Sequence, residues 1–290
     1  MTWERYRRLE RLGAGGMGEV WKAYDQQTGS LVALKVLHEH LTRGTDLIRF
    51  QREIRHLSIV PHENIIRIVD IAPEGAQPAY VMEYCPAGDL TTWSKQVTDP
   101  EARRIGFLQI CRGVAALHRS SNRIVHRDLK PPNVLWGADG NLKVSDLGLS
   151  VSLEGDETRP TRSNWVSRGF SPPEQFRSML EVTETGDVYS LGAILYYLYT
   201  GRDCSSTVVF EHDSIPEHVR PLLKIMLAEN PKARFRNAAS LTTILGQMLE
   251  KQNVYQLYNC PRCGGYGVDW IEIGQFAYEC YDCGLRGSEP

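Results

Sequence analysis

The stretch His126-Arg127-Asp128-Leu129-Lys130-Pro131-Pro132-Asn133, with Asp146-Leu147-Gly148 further along the chain, decides how this sequence is interpreted. The two segments follow helix and strand signals and place three oxygen-bearing side chains and a lysine in turns. Such a set can accept a hydroxyl proton, bind Mg²⁺ through Asn133 and Asp146, and neutralise a transferring phosphoryl group. The pattern therefore predicts a site at which phosphate and a divalent cation meet.

A glycine-rich segment lies far upstream, Gly13-Ala14-Gly15-Gly16-Met17-Gly18-Glu19-Val20, between two runs that are typical of strands. Its amides can approach an anion closely, because glycine has no Cβ to obstruct the approach. On its own such a segment is more often a simple hairpin. A dinucleotide-binding turn would lead into a helix, whereas Val20 to Tyr24 has a strand pattern.

Two charged residues lie between these motifs. Lys35 ends the strand-like run Val32 to Lys35, and Glu53 lies on a helix that apolar spacing predicts between Asp46 and Val60, ended by Pro61. Taken singly, each is usually a solvated surface charge. Together they can form an ion pair that holds the ammonium in place.

Composition excludes several classes of protein. The chain has 290 residues, of which 42% are hydrophobic and 23% charged, and its formal net charge is -2. These values exclude collagen-like and mostly disordered chains, and there is no global basic charge that would favour nucleic acid or an anionic membrane as the main partner. No run approaches the roughly 18 apolar residues of a membrane span, and the charged start predicts no secretory signal and a cytoplasmic location.

The apolar pattern divides the chain into a β-rich beginning and a helical continuation. From Tyr6 to about Ala79, runs broken by glycine-containing turns predict an antiparallel sheet with one helix packed against it. After Tyr80 to Asp89 the apolar spacing becomes helical, with a long stripe from Ile105 to Leu117. The fold class is therefore α+β.

Over about Tyr6 to Leu249 the motifs resemble, in the same order, those of the eukaryotic-type (Hanks-type) serine/threonine protein kinase family. The resemblance implies a bilobal fold, with a β-rich N-lobe over about residues 1–82, a helical C-lobe over about 86–250 and ATP between them. It also implies direct transfer of the ATP γ-phosphate to a Ser or Thr hydroxyl of a protein. Residues 1–250 are then the kinase domain, followed by a linker at 251–258 and a cysteine-bearing module at 259–290.

The resemblance also implies catalytic roles. Lys35 pairs with the α- and β-phosphates and with Glu53, Asp128 orients and deprotonates the acceptor hydroxyl, and Lys130 steadies the γ-phosphate, as in serine/threonine-specific members. Asn133 and Asp146 bind Mg²⁺ or Mn²⁺. The residues assigned to ATP binding lie in the glycine-rich loop, beside the adenine and in the hinge: Leu12, Gly13, Gly15, Gly18, Val20, Ala33, Lys35, Met82, Glu83, Cys85 and Leu135.

Gly169 to Glu174 resembles the end of the family's activation segment, with Glu174 expected to pair with Arg234. Ser167 stands where a Thr commonly shapes the pocket for the residue after the acceptor, and Asp187 to Gly192 resembles the helix that anchors the catalytic loop. Arg127 suggests control by phosphorylation, because a phosphate can pair with it and order the segment. The candidate phosphorylation sites are Thr158, Thr161 and Ser163.

Two features depart from the family pattern. Leu147 replaces a Phe beside Asp146, an apolar exchange that should preserve packing. The region from Gly201 to Arg234 is shorter than usual, so we expect the helix that helps to dock protein substrates to be reduced.

A catalytically silent scaffold and a kinase for small-molecule hydroxyls are the alternatives to a protein kinase.

The tail carries two Cys-x-x-Cys pairs, Cys260 with Cys263 and Cys280 with Cys283, at the spacing of a Cys₄ zinc site. Each pair precedes a glycine, and an alternating segment around Gly274 between them predicts a hairpin. The tail resembles a zinc ribbon whose metal is structural. Redox-active dithiols and disulfides are the alternatives, and the ribbon's role is open between recruiting a protein or nucleic acid and docking on the helical lobe.

Overall fold

The computed structural model describes residues 3–16, 18–42, 44–73, 75–147, 151–152, 167–178, 181–205, 208–251, 256–259, 266–272, 275–280 and 286–287. The chain divides into two compact units. The first comprises residues 1–98 and 131–150, and the second comprises residues 99–130 and 151–290.

The first unit contains a five-stranded antiparallel sheet in the order β1-β2-β3-β5-β4. Its strands are β1 (Tyr6–Ala14), β2 (Gly18–Asp25), β3 (Ser30–Leu37), β4 (Ile68–Ile71) and β5 (Ala79–Glu83). One face is covered by a cluster of buried side chains that the strands contribute in alternation: Tyr6, Ala23, Val32, Leu34, Val36, Ala79 and Val81. The predicted antiparallel sheet is confirmed.

The predicted helix of the first unit is also present, as α1 (Thr45–Ile59). Phe50 and Leu57 are buried on one face, and Glu53 lies between them on the same face with no exposed surface. The apolar stripe therefore carries a carboxylate into the interior of the unit.

A second group of elements in this unit positions Asp146. Helix α2 (Leu90–Gln96) is capped by Asp89, and β7 (Val134–Trp136) pairs with β8 (Leu142–Val144) in a hairpin. The hairpin is tied to the segment before β4, since Val144 donates its N–H to the Asn64 carbonyl and accepts one from Ile66. The chain leaves β8 directly toward Asp146.

The second unit is mostly helical, as predicted. It contains α3 (Pro100–Arg119), α4 (Pro173–Arg177), α5 (Glu184–Thr200), α6 (Arg220–Met226) and α7 (Ala238–Lys251), with a short pair of strands, β6 (Ile124–Val125) and β9 (Val151–Ser152). Between α5 and α6, the described residues form only a one-turn helix at Glu217–Val219, in keeping with the expected reduction of this region. In the part of the chain that the structure describes, no helix is both long and apolar enough to cross a membrane.

One residue of the predicted apolar stripe of α3 is misplaced. Leu108, Cys111, Ala115 and Leu117 are buried as expected, whereas Ile105 is 47% exposed. Ile105 lies seven residues before Arg112, so both fall on the solvent face of the helix. The prediction of Ile105 in the core was therefore wrong, because spacing alone does not fix where the buried face begins.

The tail forms a four-stranded antiparallel sheet in the order β10-β11-β12-β13. Its strands are β10 (Gln256–Asn259), β11 (Tyr266–Glu272), β12 (Gln275–Cys280) and β13 (Arg286–Gly287). The pairing of Glu272 with Gln275 confirms the predicted hairpin around Gly274. Strand β10 begins within the segment assigned to the linker.

Candidate active site

The glycine-rich segment connects β1 to β2. Gly15 donates its N–H to the Gly18 carbonyl at 2.9 Å, and His38 contacts the Gly15 carbonyl through Nε2 at 3.1 Å. A Cβ on Gly13 or Gly15 would meet nothing within 4 Å, whereas a Cβ on Gly18 would collide with the Val36 carbonyl. The first two glycines therefore leave the backbone open to a ligand, and Gly18 is required by the close approach of β3.

Lys35 lies at the centre of a charged cluster in the first unit. Its Nζ is 2.7 Å from Glu53 Oε1 and 3.2 Å from Asp146 Oδ1. Burial on its own would lower the pKa of Lys35, but the charges of Asp146 and Glu53 outweigh it and raise that pKa well above its ordinary value. The structure thus brings together three residues that are far apart in the sequence and holds Lys35 as a cation.

The two predicted metal ligands come from adjacent segments. Ser145 donates from its N–H and from its hydroxyl to the Asn133 carbonyl, at 2.9 and 3.1 Å, and so ties the segment before Asp146 to Asn133. Asp146 has a left-handed backbone, with φ of 60°, and its side chain is 44% exposed. Mg²⁺ is bound by oxygen ligands such as carboxylates and amide carbonyls, so Asn133 and Asp146 fit this cation. Leu147, the apolar replacement beside Asp146, is fully buried.

The residues assigned to adenine binding lie on neighbouring strands of the same unit. Ala33 pairs directly with Met82 across β3 and β5, and both are buried. Val20 on β2 pairs with Lys35, and Leu135 on β7 is half-buried. Glu83 ends β5 and Cys85 follows it, whereas Leu12 on β1 is 44% exposed.

Two polar residues near this site do not belong to the predicted motifs. Tyr80 on β5 donates its hydroxyl to Glu53 Oε1 at 2.8 Å. Lys143 on β8 lies 3.1 Å from Glu83 Oε2 and 3.0 Å from Asp139 Oδ2, so it links the start of the hinge to the hairpin that leads to Asp146. In both cases the signal in the sequence was a polar group between two apolar neighbours of a strand, which indicates a buried partner.

The second unit holds the predicted catalytic loop. Asp128 accepts a hydrogen bond from Lys130 Nζ at 2.8 Å through Oδ2 and from the Ser167 hydroxyl at 2.7 Å through Oδ1. Lys130 Nζ also lies 3.1 Å from Ser167 Oγ, which closes a triangle. The structure therefore places Ser167, predicted only as a pocket residue, in direct contact with the predicted catalytic carboxylate.

Asp187 holds this loop from α5. Its carboxylate accepts the backbone N–H groups of His126 and Arg127 at 2.8 and 2.9 Å, and it contacts His118 Nε2 at 2.9 Å. Arg127 has a left-handed backbone, with φ of 68°, and its guanidinium donates to the Val182 carbonyl at 2.9 Å. The fully buried Asp187 therefore fixes a turn that would otherwise be strained.

Glu174 and Arg234 form a buried bidentate ion pair in the second unit, with N–O distances of 2.7 and 2.9 Å. The guanidinium also donates to backbone carbonyls, including that of Ala228 at 2.7 Å. The start of α4 is thereby attached to the segment before α7, as the resemblance implied.

Several predicted residues fall outside the described part of the chain. They are the candidate phosphorylation sites Thr158, Thr161 and Ser163, the Gly148 of the metal-binding triplet, and the zinc-ligand candidates Cys260, Cys263 and Cys283. Of the fourth candidate, Cys280, the structure describes the backbone as the last residue of β12.

The chain belongs to the protein kinase family. A family model for the protein kinase domain matches residues 6–253, which span both the Lys35 cluster and the Asp128 triangle. The family recognised from the sequence motifs is therefore confirmed.

Three curated relatives are similar to this chain. The serine/threonine-protein kinase PrkC of Bacillus subtilis is 36% identical over 234 residues, covering 79% of this chain and 34% of the relative. The carbon catabolite-derepressing protein kinase of Candida glabrata is 34% identical over 248 residues, covering 79% of this chain and 39% of the relative. The maternal embryonic leucine zipper kinase of Xenopus tropicalis is 29% identical over 294 residues, covering 96% of this chain and 42% of the relative. The chain thus spans between about a third and about two fifths of the length of these relatives.

We predict that Asp187→Asn lowers the free energy of unfolding at pH 7 by about 3 kcal/mol, because it replaces a buried carboxylate that accepts hydrogen bonds from two backbone amides and contacts His118 Nε2. Burial alone would raise the pKa of Asp187, but the hydrogen bonds from His118 and from backbone amides hold it below its usual range. A depressed pKa in the folded state contributes stability above the unfolded value of about 3.9, which is lost as pH falls through the folded value. The difference between wild type and variant should therefore shrink below about pH 4.

Denaturant unfolding followed between pH 3 and pH 8 tests this prediction. Asp213→Asn, at an exposed position, is the matched control and should leave stability unchanged. Equal stability of the two variants at pH 7 would contradict the role given to Asp187.

Proposed function

We propose that this chain is an ATP- and Mg²⁺-dependent protein serine/threonine kinase. The observation that carries the proposal is the position of Lys35 Nζ between Glu53 and Asp146, a charged cluster built from three separate elements of one unit. A cation held in this way is suited to the α- and β-phosphates of ATP. The name of the PrkC relative and the contacts of Lys130 and Ser167 with Asp128 support Ser and Thr as acceptors.

In this proposal the first unit binds the nucleotide. Leu12, Val20, Ala33, Met82 and Leu135 contact adenine, and the backbone at Glu83 and Cys85 reads its edge. Asn133 and Asp146 would hold Mg²⁺, and the bound cation would neutralise part of the phosphate charge. The open amides of the glycine-rich segment cover the phosphates.

The second unit supplies the acceptor side of the reaction. The acceptor hydroxyl takes the position at Asp128 that Ser167 Oγ occupies, and Asp128 accepts its proton. The acceptor oxygen forms a bond to the γ-phosphorus as the bond to the ADP oxygen breaks. Lys130 stabilises the charge of the transferring group, and alignment contributes more than proton abstraction.

Two other functions are retained as alternatives. A silent scaffold would keep the fold without activity, although Lys35, Asp128, Asn133 and Asp146 are all present. A small-molecule kinase is disfavoured by the peptide-positioning segment from Ser167 to Glu174.

We predict that Asp128→Asn and Lys35→Met each lower phosphoryl transfer at least 100-fold, because one removes the proton acceptor and the other the phosphate-binding cation. Transfer from radiolabelled ATP with Mg²⁺ to a generic protein acceptor measures this, and phosphoamino-acid analysis identifies the acceptor residues. Lys224→Met, which removes an exposed lysine paired with Glu211, is the control and should retain full activity. An inactive wild type, or equal labelling by Asp128→Asn, would defeat the catalytic proposal.

We further propose regulation through the activation segment. Arg127 adjoins the catalytic aspartate, and a phosphate on Thr158, Thr161 or Ser163 would add an anion that can pair with a guanidinium. Intact mass after incubation with Mg-ATP should show added phosphate in wild type but not in the triple alanine variant of these residues. The phosphorylated form should be the more active, and absence of phosphate between Asp146 and Glu174 would remove the basis for this regulation.

The tail is proposed to hold one structural zinc ion through Cys260, Cys263, Cys280 and Cys283. Strand register supports it, since Asn259 pairs with Tyr266 and Gly267 pairs with Cys280. Strands β10 and β12 therefore end at the same end of the sheet, where Cys260 and Cys263 follow β10 in the sequence, Cys280 ends β12 and Cys283 follows it. The reducing conditions that keep thiolates free for zinc fit the proposed cytoplasmic location.

We predict about one zinc ion per chain, lost when Cys260 and Cys263 are both replaced by Ser, because two thiolates alone do not complete a tetrahedral site. Elemental analysis of the purified protein measures the metal, and replacement of Cys204 by Ser is the matched control. A zinc-free preparation whose tail is folded would refute the site.

If the ribbon caps the kinase domain, zinc removal lowers the unfolding temperature of that domain, whereas a ribbon that serves a partner leaves it unchanged.

A further inference from the structure

The hydroxyl of Tyr80 and the ammonium of Lys35 are hydrogen-bonded to the same oxygen atom of Glu53. Tyr80 lies directly opposite Lys35 in the pairing of β3 with β5. Its hydroxyl donates to Glu53 Oε1 at 2.8 Å, and Lys35 Nζ lies 2.7 Å from that same oxygen. One carboxylate oxygen therefore receives both hydrogen bonds.

Glu53 depends strongly on these two donors. Its side chain has no exposed surface, and within the described residues Oε2 has no hydrogen-bond partner. A buried carboxylate is stable in its ionised form only when hydrogen bonds and opposite charge compensate for the lost water. Removal of the Tyr80 hydroxyl leaves this carboxylate with Lys35 as its one remaining donor among the contacts described.

The ring of Tyr80 is itself held in place. Its centroid is 5.5 Å from that of Phe50, which precedes Glu53 by one turn of α1. Lys35 Nζ lies 5.8 Å from the same ring, within reach of a cation–π interaction. With 1% of its surface exposed, Tyr80 has little room to rotate its hydroxyl away from Glu53.

We propose that Tyr80 is a positioning residue that holds the Glu53 carboxylate, and through it Lys35, in the geometry required to bind MgATP. This inference rests on the proposed function of the Lys35 cluster. Without the hydroxyl, Glu53 is less well held, and the ammonium shifts toward Asp146, which lies only 3.2 Å away. Such a shift places Lys35 against a predicted metal ligand instead of beside the phosphates.

Tyr80→Phe removes one oxygen atom and keeps the ring. We expect the dissociation constant of MgATP, measured by calorimetry, to rise about tenfold, in line with the loss of one hydrogen bond to a charged group. The kcat/KM for ATP should fall by a similar factor, because Lys35 acts on the bound phosphates. Thermal unfolding should change no more than in the control variant.

Tyr6→Phe is the matched control. Tyr6 is buried in the same unit, and its hydroxyl donates to Asp70 Oδ2 at 2.6 Å, so the substitution removes the same kind of bond between two residues that are not assigned to the site. We expect Tyr6→Phe to leave MgATP affinity within twofold of wild type. An equal loss of affinity in both variants would show a general structural effect and would overturn the positioning role.

A double-mutant cycle separates action through Glu53 from direct action. In a Glu53→Ala background, Tyr80→Phe should cause no further loss of MgATP affinity, because the acceptor of its hydrogen bond is gone. A further tenfold loss in that background would overturn the proposal, as would wild-type affinity of Tyr80→Phe itself. The proposed function fails if wild type binds no MgATP, or if Lys35→Met binds it as well as wild type does. If wild type is active and Lys35→Met is defective, but Tyr80→Phe is unaffected, only the role of Tyr80 is refuted.

Discussion

The proposed phosphate-binding site depends on the attraction between Lys35 and two carboxylates, of which that of Glu53 is fully buried. An ammonium taken out of water is stable only near opposite charge, and here Glu53 comes from α1 while Asp146 follows β8. Three elements must therefore be in place before the cluster can form. The Lys35 cluster is complete only when α1 presents its buried face to Lys35, because Glu53 lies on that face of the helix.

The second unit uses a different solution to the same problem of burying a carboxylate. Asp187 is compensated by two backbone amides and an imidazole, so its charge organises the turn that carries Asp128 without a buried cation of the lysine type. Glu174 is compensated by the bidentate Arg234. A buried carboxylate needs hydrogen-bond partners at short distance, and few groups can provide them. It therefore specifies how the segments that carry those partners are arranged. Each of these carboxylates thereby fixes the position of the segment that it contacts.

Much of the fold could be predicted from the sequence because it follows from periodicity. Alternation of apolar residues indicates strands, three- and four-residue spacing indicates helices, and Pro61 ends α1 where expected. Ile105 shows the limit of this reasoning, because the exposed and buried faces of α3 depend on what the helix packs against. Tyr80 and Lys143 show the same limit for the site, since a polar residue in an apolar strand indicates a partner without identifying it.

The kinase motifs could be identified from the order of residues alone, because phosphate, a divalent cation and a hydroxyl proton each require particular side chains at particular places along the chain. The folded chain was needed to show that one oxygen of Glu53 accepts hydrogen bonds from both Lys35 and Tyr80, and that the Ser167 hydroxyl donates to Asp128. Hydrogen bonds form only within a narrow range of distance and angle, and these values are set when the chain is packed.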